Sequence, residues 1–598
     1  MDDPKVDEAL AGIVQPAGFW QFIVVILATL TIPGAAIISV FNNSFPKHRC
    51  RLEPQVEAWL LNTSSTSPAA GWDIRSIAEV FGPKLSHPSS VSACELYTVD
   101  RLQNTTLERL LLYQNQTLPL ERQKCPFGFV YEYDWHQFPG GLVKEWDLVC
   151  DRAWEVPFNE SIYMLGMLIG FLVGGWFGDR FGRRPVILAS GVVDFILELL
   201  ICFSVNHTQY IILRILVAVC STTRFSALTV LITEITTAKY RSLISAVSSI
   251  IQMSFQRIFL AVVALYVTNW RWLNASLVLT NSLIFILFFI LPESPKWLVA
   301  RARYRDAGDV LYRGYRMNAR VKSILSPVSN RSPLLSKNEF FALIGIPDAS
   351  AKDKLDEEHA VMSGHSAKRI GKFSIFPLFN RSMAVTTFLC TILIAGHITC
   401  VFGLAFYSAN IRFYTSYVLI INALSSIPGS LLFAGLYRCF RFRKRPLLVI
   451  YLVTAAVLWI AALYTLILQP KNDIVLNVLM AVVTMTLAAG SRMVFVYVPE
   501  LYSPVYRNRG LGVCAGLARL GVFWFPLINR LDSSVRHGFP LTIYAGLITI
   551  QMIVLCFLRD TNGEAPGTER TLNCGTWSSQ HTGSLGTFRA SKPREAPA

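Results

Sequence analysis

Gly175-Trp-Phe-Gly-Asp-Arg-Phe-Gly-Arg-Arg-Pro185 lies between two long apolar runs, 158–177 before it and 185–205 after it. Dense positive charge between two membrane-length segments reads as a tight turn in water. Gly182 permits the reversal, and Gly175 and Gly178 read as points of close backbone approach. Arg180, Arg183 and Arg184 place the turn on the cytoplasmic side by the positive-inside rule. Asp179 is an acid among arginines at a membrane boundary. It calls for a partner, either a neighbouring arginine or a helix N-terminus.

The composition agrees with a polytopic membrane protein. The chain has 598 residues, 53% hydrophobic and 16% charged, with a mean hydropathy of +0.42. A span takes ~20 apolar residues, so twelve spans use about 240. The net charge of +16 does not point to nucleic acid, because the basic residues sit in short turns rather than on one soluble face. No cleavable leader is expected: the N-terminus opens on acids, and the first apolar run is long enough to span.

Working outward, residues 1–18 form a short cytoplasmic N-terminus and 19–40 a first transmembrane helix, interrupted at Pro33-Gly34. Residues 41–157 are far longer than an ordinary connection and read as an extracellular domain. This loop holds Cys50, Cys94, Cys125 and Cys150, and the sequons at Asn62, Asn104 and Asn115, with a fourth at Asn42 against the membrane. Cysteines beside glycosylation sequons mark an oxidising, extracytoplasmic side. Four cysteines allow three pairings, and the sequence does not choose. With this loop outside, the 178–185 turn falls inside, in agreement with its arginines. Residues 158–291 carry spans 2–6, 292–381 a cytoplasmic linker, 382–558 spans 7–12 and 559–598 a disordered cytoplasmic tail. The turn after span 8 is again basic (Arg438, Arg441, Arg443, Lys444, Arg445). It ends Lys444-Arg445-Pro446, as the earlier turn ends Arg183-Arg184-Pro185, but Phe440 stands where Asp179 would align. Two such halves are the signature of a duplicated six-helix unit.

Asp-Arg-x-Gly-Arg-Arg between two spans resembles the helix 2–3 loop of major facilitator transporters. Further motifs resemble the organic cation, anion and carnitine transporters of solute carrier family 22. These are Gly18-Phe-Trp-Gln-Phe22, Phe41-Asn-Asn-Ser-Phe-Pro-Lys-His-Arg-Cys50, Glu145-Trp-Asp-Leu-Val-Cys150, Leu291-Pro-Glu-Ser-Pro-Lys-Trp-Leu298 and Glu500-Leu-Tyr-Ser-Pro-Val-Tyr-Arg-Asn508. The resemblance covers about residues 15–558. It implies an all-α membrane protein of the major facilitator fold, twelve transmembrane helices in two six-helix halves with a large loop after helix 1. It further implies polyspecific, secondary-active or facilitative transport of small organic ions by alternating access at the plasma membrane, with an exchanged counter-ion among the partners. No enzyme activity, metal or cofactor is expected, and no Gly-x-x-x-x-Gly-Lys-Ser/Thr nucleotide loop is present.

The charges fall into three groups. Asp179, Arg183, Arg184, Glu234, Arg241, Glu293, Glu500 and Arg507 lie at cytoplasmic span ends; the resemblance implies an inner latch that joins the two halves when the transporter faces outward, against a plain topological role. Asp194 and Glu198 in span 3 lie four apart on one helical face and are expected to pair with Arg224 or Arg214 of span 4. Arg519, in the middle of span 11, stands where the resemblance places an arginine in anion- and carnitine-handling members and an acid in cation transporters. With Arg257 and Arg492 it predicts a positive central cavity, with Phe402, Tyr407 and Phe495 as stacking aromatics. That favours organic anions or zwitterions. Departures from the family pattern (Ala218, Thr222 and Thr223 in span 4, Ser430 in span 8) keep two alternatives open: an organic cation transporter, and a non-transporting receptor or scaffold acting through the ectodomain.

Overall fold

The structure is a computed structural model that describes residues 3–14, 18–32, 34–54, 94–97, 122–133, 137–237, 240–325, 334–344, 381–440, 442–470, 472–502 and 507–561. The three sequons Asn62, Asn104 and Asn115 and most of the C-terminal tail lie outside these residues.

Among the described residues, eleven helices are long and apolar enough to cross a membrane. A shorter apolar helix, α1 (Phe19–Leu30), precedes them. The first half continues with α2 (Glu155–Phe181), α3 (Arg183–Cys202) and α4 (His207–Glu234). Next come α5, built of Arg241–Ser249, a π-helical turn Ile250–Phe255 and Gln256–Tyr266, and α6, built of Trp270–Asn281 and Ile284–Ile290. The second half holds α7 (Arg381–Tyr407), α8 (Thr415–Cys439), α9 (Lys444–Leu468) and α10 (Ile474–Glu500). It ends with α11 (Arg507–Val522), a short helix Phe525–Ser534 and α12 (Phe539–Phe557). At 1.5 Å per residue, α1 covers only ~18 Å. It ends at the Thr31 cap, and the chain turns before a short helix at Ser39–Asn42.

The basic turn between α2 and α3 is built around Gly182, whose φ is +100°. A Cβ there would also lie 2.5 Å from Glu293 Oε2. Gly175 and Gly178 do not serve close approach: a Cβ on either meets nothing within 4 Å. That role falls one to three turns earlier, to Gly166, Gly170 and Gly174. Added Cβ atoms there would sit 2.8 Å from the Ile215 carbonyl oxygen, 2.6 Å from that of Val219 and 2.9 Å from Thr223 Cα. The i, i+4, i+8 glycine stripe lets α2 lie backbone-to-backbone on the Ala218–Thr222–Thr223 face of α4, the packing small residues give in membranes.

The strands of the long loop after α1 are β1 (Lys47–Cys50), β2 (Glu95–Tyr97), β3 (Arg122–Lys124) and β4 (Phe129–Glu132), paired antiparallel as β1–β4 and β2–β3. Disulfides join Cys50 to Cys125 and Cys94 to Cys150, selecting one of the three pairings. The Glu145-Trp146 motif docks this domain on the first half. Trp146 donates to the Val205 carbonyl at 3.2 Å and meets the rings of His207, Tyr210 and Trp270, while Glu145 accepts from Trp270 Nε1 at 2.5 Å and pairs with Arg271.

The polar start contains a helix, Asp3–Gly12. Its Val6, Ala9 and Leu10, at helical spacing, are buried in a cluster that also takes in Leu298 of the helix Pro295–Ala300 and Leu311 and Phe340 of the linker helices Tyr304–Leu325 and Lys337–Leu343. Asn318 fastens the two, giving Nδ2 to the Val14 carbonyl (2.6 Å) and accepting the Trp20 amide (2.7 Å).

Candidate functional site

Two cavities lie where the halves face each other. The wider one, about 870 Å³, lies at the end of the bundle that carries the long loop, whose Phe45, Lys47 and Gln137 line it. The first half contributes Ser39, Asn43 and Glu160; the second contributes Asn410, Arg412, Arg530, Asp532 and His537. Beneath it a pocket of about 40 Å³ is lined by Ser249, Arg257, Asn422, Ser426, Ser430, Ser491 and Arg492 among apolar residues of α7, α8 and α10. It contains two arginines and no carboxylate. Forty cubic ångströms hold a water or two, whereas small-molecule sites run to several hundred. The vestibule is therefore the cavity large enough for a solute in this conformation.

The π turn in α5 shapes the lower pocket. A π turn adds a residue and rotates the helix beyond it. Here the segment joins the halves: Ser254 Oγ lies 2.7 Å from Ser426 Oγ, and Ser249 Oγ accepts from Arg492. A third tie between halves is Ser161 Oγ donating to the Phe523 carbonyl at 2.8 Å, and a fourth is Arg530 Nη1 donating to the Ala153 carbonyl at 3.1 Å.

The expected cavity set divides. Arg257 and Arg492 come together in the lower pocket. Arg519 does not join them. It is 6% exposed, sits over the rings of Phe171 (4.9 Å) and Phe402 (5.5 Å), and its Nε and Nη1 have no hydrogen-bond partner. Phe402 thus contacts arginine instead of standing free for a ligand. Tyr407 is fully buried and donates to Asp532 at 2.7 Å, and Phe495 is packed in the hydrophobic core. Aromatics on α7 and α10 are spent on packing because only one face of each helix meets the cavity.

The inner charges also differ from expectation. Arg183 pairs with Asp179 (3.2 Å) and Glu234 (3.0 Å), all in the first half. Glu293 accepts the Arg183 amide at 2.8 Å and the Arg184 amide at 3.3 Å, capping the positive N-terminus of α3. Arg184 reaches the Phe288 carbonyl at 2.7 Å. Glu500 meets Arg443 (3.8 Å) and Thr561 (2.9 Å), all in the second half. Among the described residues no ion pair crosses between the halves, so these groups brace each half internally; the side chains of Arg241 and Arg507 lie outside the described set. The reason is geometric: each acid has a basic or amide partner in its own half, nearer than any across the interface.

In the first half, Asp194 pairs with Arg224 at 2.6 Å. Glu198 instead accepts from Asn281 at 3.1 Å. Arg214 joins neither acid. It donates to the Ala35 carbonyl (2.7 Å) and Ser39 Oγ (2.6 Å) and stacks on Tyr163 at 4.5 Å.

Sequence reading missed a cluster on the vestibule wall. His537, 7% exposed, donates Nδ1–H to Asp532 (2.9 Å) and Nε2–H to Asp473 (3.2 Å). Asp473 also accepts the Arg412 amide at 2.8 Å. Burial alone would lower the His537 pKa, but the two carboxylates outweigh it and hold the ring at about 9, charged at neutral pH. Burial acts to raise Asp473, and its bonds to His537 and Arg412 bring it below the ordinary value. The signal available was three titratable residues at the mouths of spans 10–12; only folding shows that they meet. A histidine raised from 6.5 to about 9 contributes its full stability below pH 6.5, loses it through that interval and contributes none above about pH 9. The melting temperature of the purified protein is expected to fall between pH 7 and 9.5, and His537→Gln is expected to flatten that slope. An equal slope in the variant would exclude the cluster as its origin.

Two helical halves facing each other around a polar pocket are the arrangement of a carrier of the major facilitator class. The match to the "Sugar (and other) transporter" family profile over residues 157–559 shows that the chain belongs to that family. Among curated proteins it is similar to the human organic cation/carnitine transporter 2, 25% identical over 560 residues and covering 93% of this chain and 92% of that protein. Bovine solute carrier family 22 member 1 is 27% identical over 568 residues (93% and 91%), and Xenopus laevis solute carrier family 22 member 6-B is 25% identical over 568 residues (94% and 92%). The chain is thus a diverged relative of solute carrier family 22. Among solved structures, the partially occluded inward-open xylose transporter of E. coli superposes with a TM-score of 0.53 at 14% identity, covering 91% of this chain and 99% of that one. That supports the fold: a multi-span, all-α membrane protein of the major facilitator type.

Proposed function

We propose that this transporter carries small organic solutes bearing a carboxylate, anions or zwitterions, polyspecifically and by alternating access between its halves. Its place is the plasma membrane, with both termini cytoplasmic. The observation that carries the reading is the lower pocket: Arg257 and Arg492 line it at the boundary between halves, and no acid does. Guanidinium groups remain charged when desolvated and grip carboxylates in two-point bonds. Solute enters the vestibule, and the hydroxyl ties at Ser249 and Ser254 yield as the pocket opens around it.

A second reading, organic cation transport, is favoured by the names of the relatives. Glu160 on the vestibule wall gives it a local acid. Carnitine, in the names of three of these relatives, is a zwitterion and suits both readings.

The test is uptake in oocytes of labelled anion, zwitterion and cation panels, with Arg492→Ala at matched surface expression. Loss of one charge-assisted contact is expected to lower carboxylate uptake about tenfold. Cation uptake that is unchanged or raised in the variant would overturn the carboxylate reading. No uptake of any panel, with normal surface delivery, would favour a receptor or scaffold built on the docked ectodomain.

A further inference from the structure

The first half contains a charged cluster that lines neither cavity. Asp194 and Glu198 of α3, Arg224 of α4 and Asn281 of α6 are 0%, 4%, 0% and 0% exposed. Arg224 donates Nη2–H to Asp194 Oδ2 (2.6 Å) and Nη1–H to Asn281 Oδ1 (2.7 Å). Asn281 Nδ2 then reaches Glu198 Oε2 at 3.1 Å and Asp194 Oδ2 at 3.5 Å. One guanidinium therefore faces two carboxylates. The second oxygens, Asp194 Oδ1 and Glu198 Oε1, are buried without a hydrogen-bond partner.

The other titratable groups near the pair do not supply the missing positive charge. From α2, Tyr163 is within electrostatic reach of both acids. From α4, Arg214 acts on Glu198 at a distance but spends its bonds on Ala35 and Ser39, and Cys220 faces Asp194. From α3 itself, Cys202 is near Glu198. In α6, Arg271 is held by Glu145, and the Ile284–Ile290 segment has no titratable side chain. Two ionised carboxylates against one arginine leave an excess negative charge in a low-dielectric interior, which is strongly unfavourable. Paired carboxylates resolve this by holding one proton between them.

We propose that Asp194 and Glu198 form a proton-binding site that carries one proton at neutral pH, and that this proton is the transporter's coupling ion. Polar groups lie between the vestibule and the pair. Glu160 and Ser39 line the vestibule, Ser39 holds Arg214, Arg214 stacks on Tyr163, and Tyr163 lies one turn beyond Glu160 on α2. Tyr163 and Arg214 in turn act electrostatically on the buried pair, with no hydrogen bond to either acid among the described residues. The coupling role rests on the transport reading above; occupancy by a proton does not.

The experiment is therefore infrared spectroscopy of the purified full-length protein, which needs no substrate. A carboxylic-acid carbonyl band that shifts in D₂O is expected near neutral pH and is expected to disappear as the pH is raised. It should be lost in Glu198→Gln and in Asp194→Asn, each checked for a monodisperse elution profile, and kept in Glu160→Gln. A band lost only in Glu160→Gln, or no band at all, overturns the proposal. A carboxylate band that responds to sodium but not to an equal concentration of N-methylglucamine also overturns it, assigning the pair to a metal cation. In proteoliposomes, an inward proton gradient is expected to accelerate uptake in the wild type and to have no effect in Glu198→Gln. Uptake insensitive to the gradient, with the band present, overturns the coupling role alone.

Discussion

Arg224→Met is expected to destabilise the protein by about 3–5 kcal/mol, the range for removing one partner of a buried ion pair. The side chain is fully buried, bonded to Asp194 at 2.6 Å and to Asn281 at 2.7 Å. Methionine fills much of the volume, so the loss is electrostatic. Asp194 is left uncompensated next to Glu198, and Asn281 loses its donor. Removing the acid instead, in Asp194→Asn, keeps a hydrogen-bonding group beside Arg224 and takes away the surplus negative charge, so it should cost less. The check is the melting temperature of both variants in detergent and in nanodiscs. Asp194→Asn as damaging as Arg224→Met would mean that geometry, not the charge imbalance, dominates the cluster. A near-neutral Arg224→Met would mean that the acids are already both protonated.

Eleven of the twelve expected spans are legible in the sequence because apolar length is a property of the chain alone, whereas the first, expected over 19–40, forms an apolar helix only over Phe19–Leu30. The separate folded region between the first two segments is announced by its clustered cysteines, which the structure joins in two disulfides. The site is less so. Arg257, Arg492 and Arg519 look alike in sequence, all arginines within spans. Which of them lines the lower pocket depends on helix rotation, and for Arg257 on a π turn that no periodicity announces. Arg519 turns to the aromatic contact between α2 and α7. The inner acids carry a signal for pairing but none for partner. Asp179 finds Arg183 four residues away, and Glu293 finds backbone amides in a turn far back along the chain. The partners of Cys50 and Cys94 depend on the strand pairing β1–β4 and β2–β3, which brings together segments far apart in the chain. The vestibule cluster of His537, Asp473 and Asp532 exists only once spans 10, 11 and 12 are side by side.

Gly170→Leu is expected to cost about 3 kcal/mol or more, at the upper end of overpacking penalties. Its place in the seam explains why. A Cβ at position 170 would sit 2.6 Å from the Val219 carbonyl oxygen and 2.9 Å from Thr222 Cβ, and backbone cannot swing aside as a side chain can. The helices would have to part along their length, which also lifts Gly166 and Gly174 off α4 and breaks the bond from Thr223 to the Gly170 carbonyl at 3.1 Å. Gly175 is the matched control: it lies on the same helix, and a Cβ there meets nothing within 4 Å. Gly175→Leu should therefore leave the melting temperature close to that of the wild type, while Gly170→Leu lowers it by many degrees and reduces delivery to the cell surface. Equal tolerance at the two positions would show that α2 and α4 are not held backbone-to-backbone. It would also loosen the frame on which Tyr163, Arg214 and the buried carboxylates keep their spacing, since α2 and α4 carry the first two and Arg224.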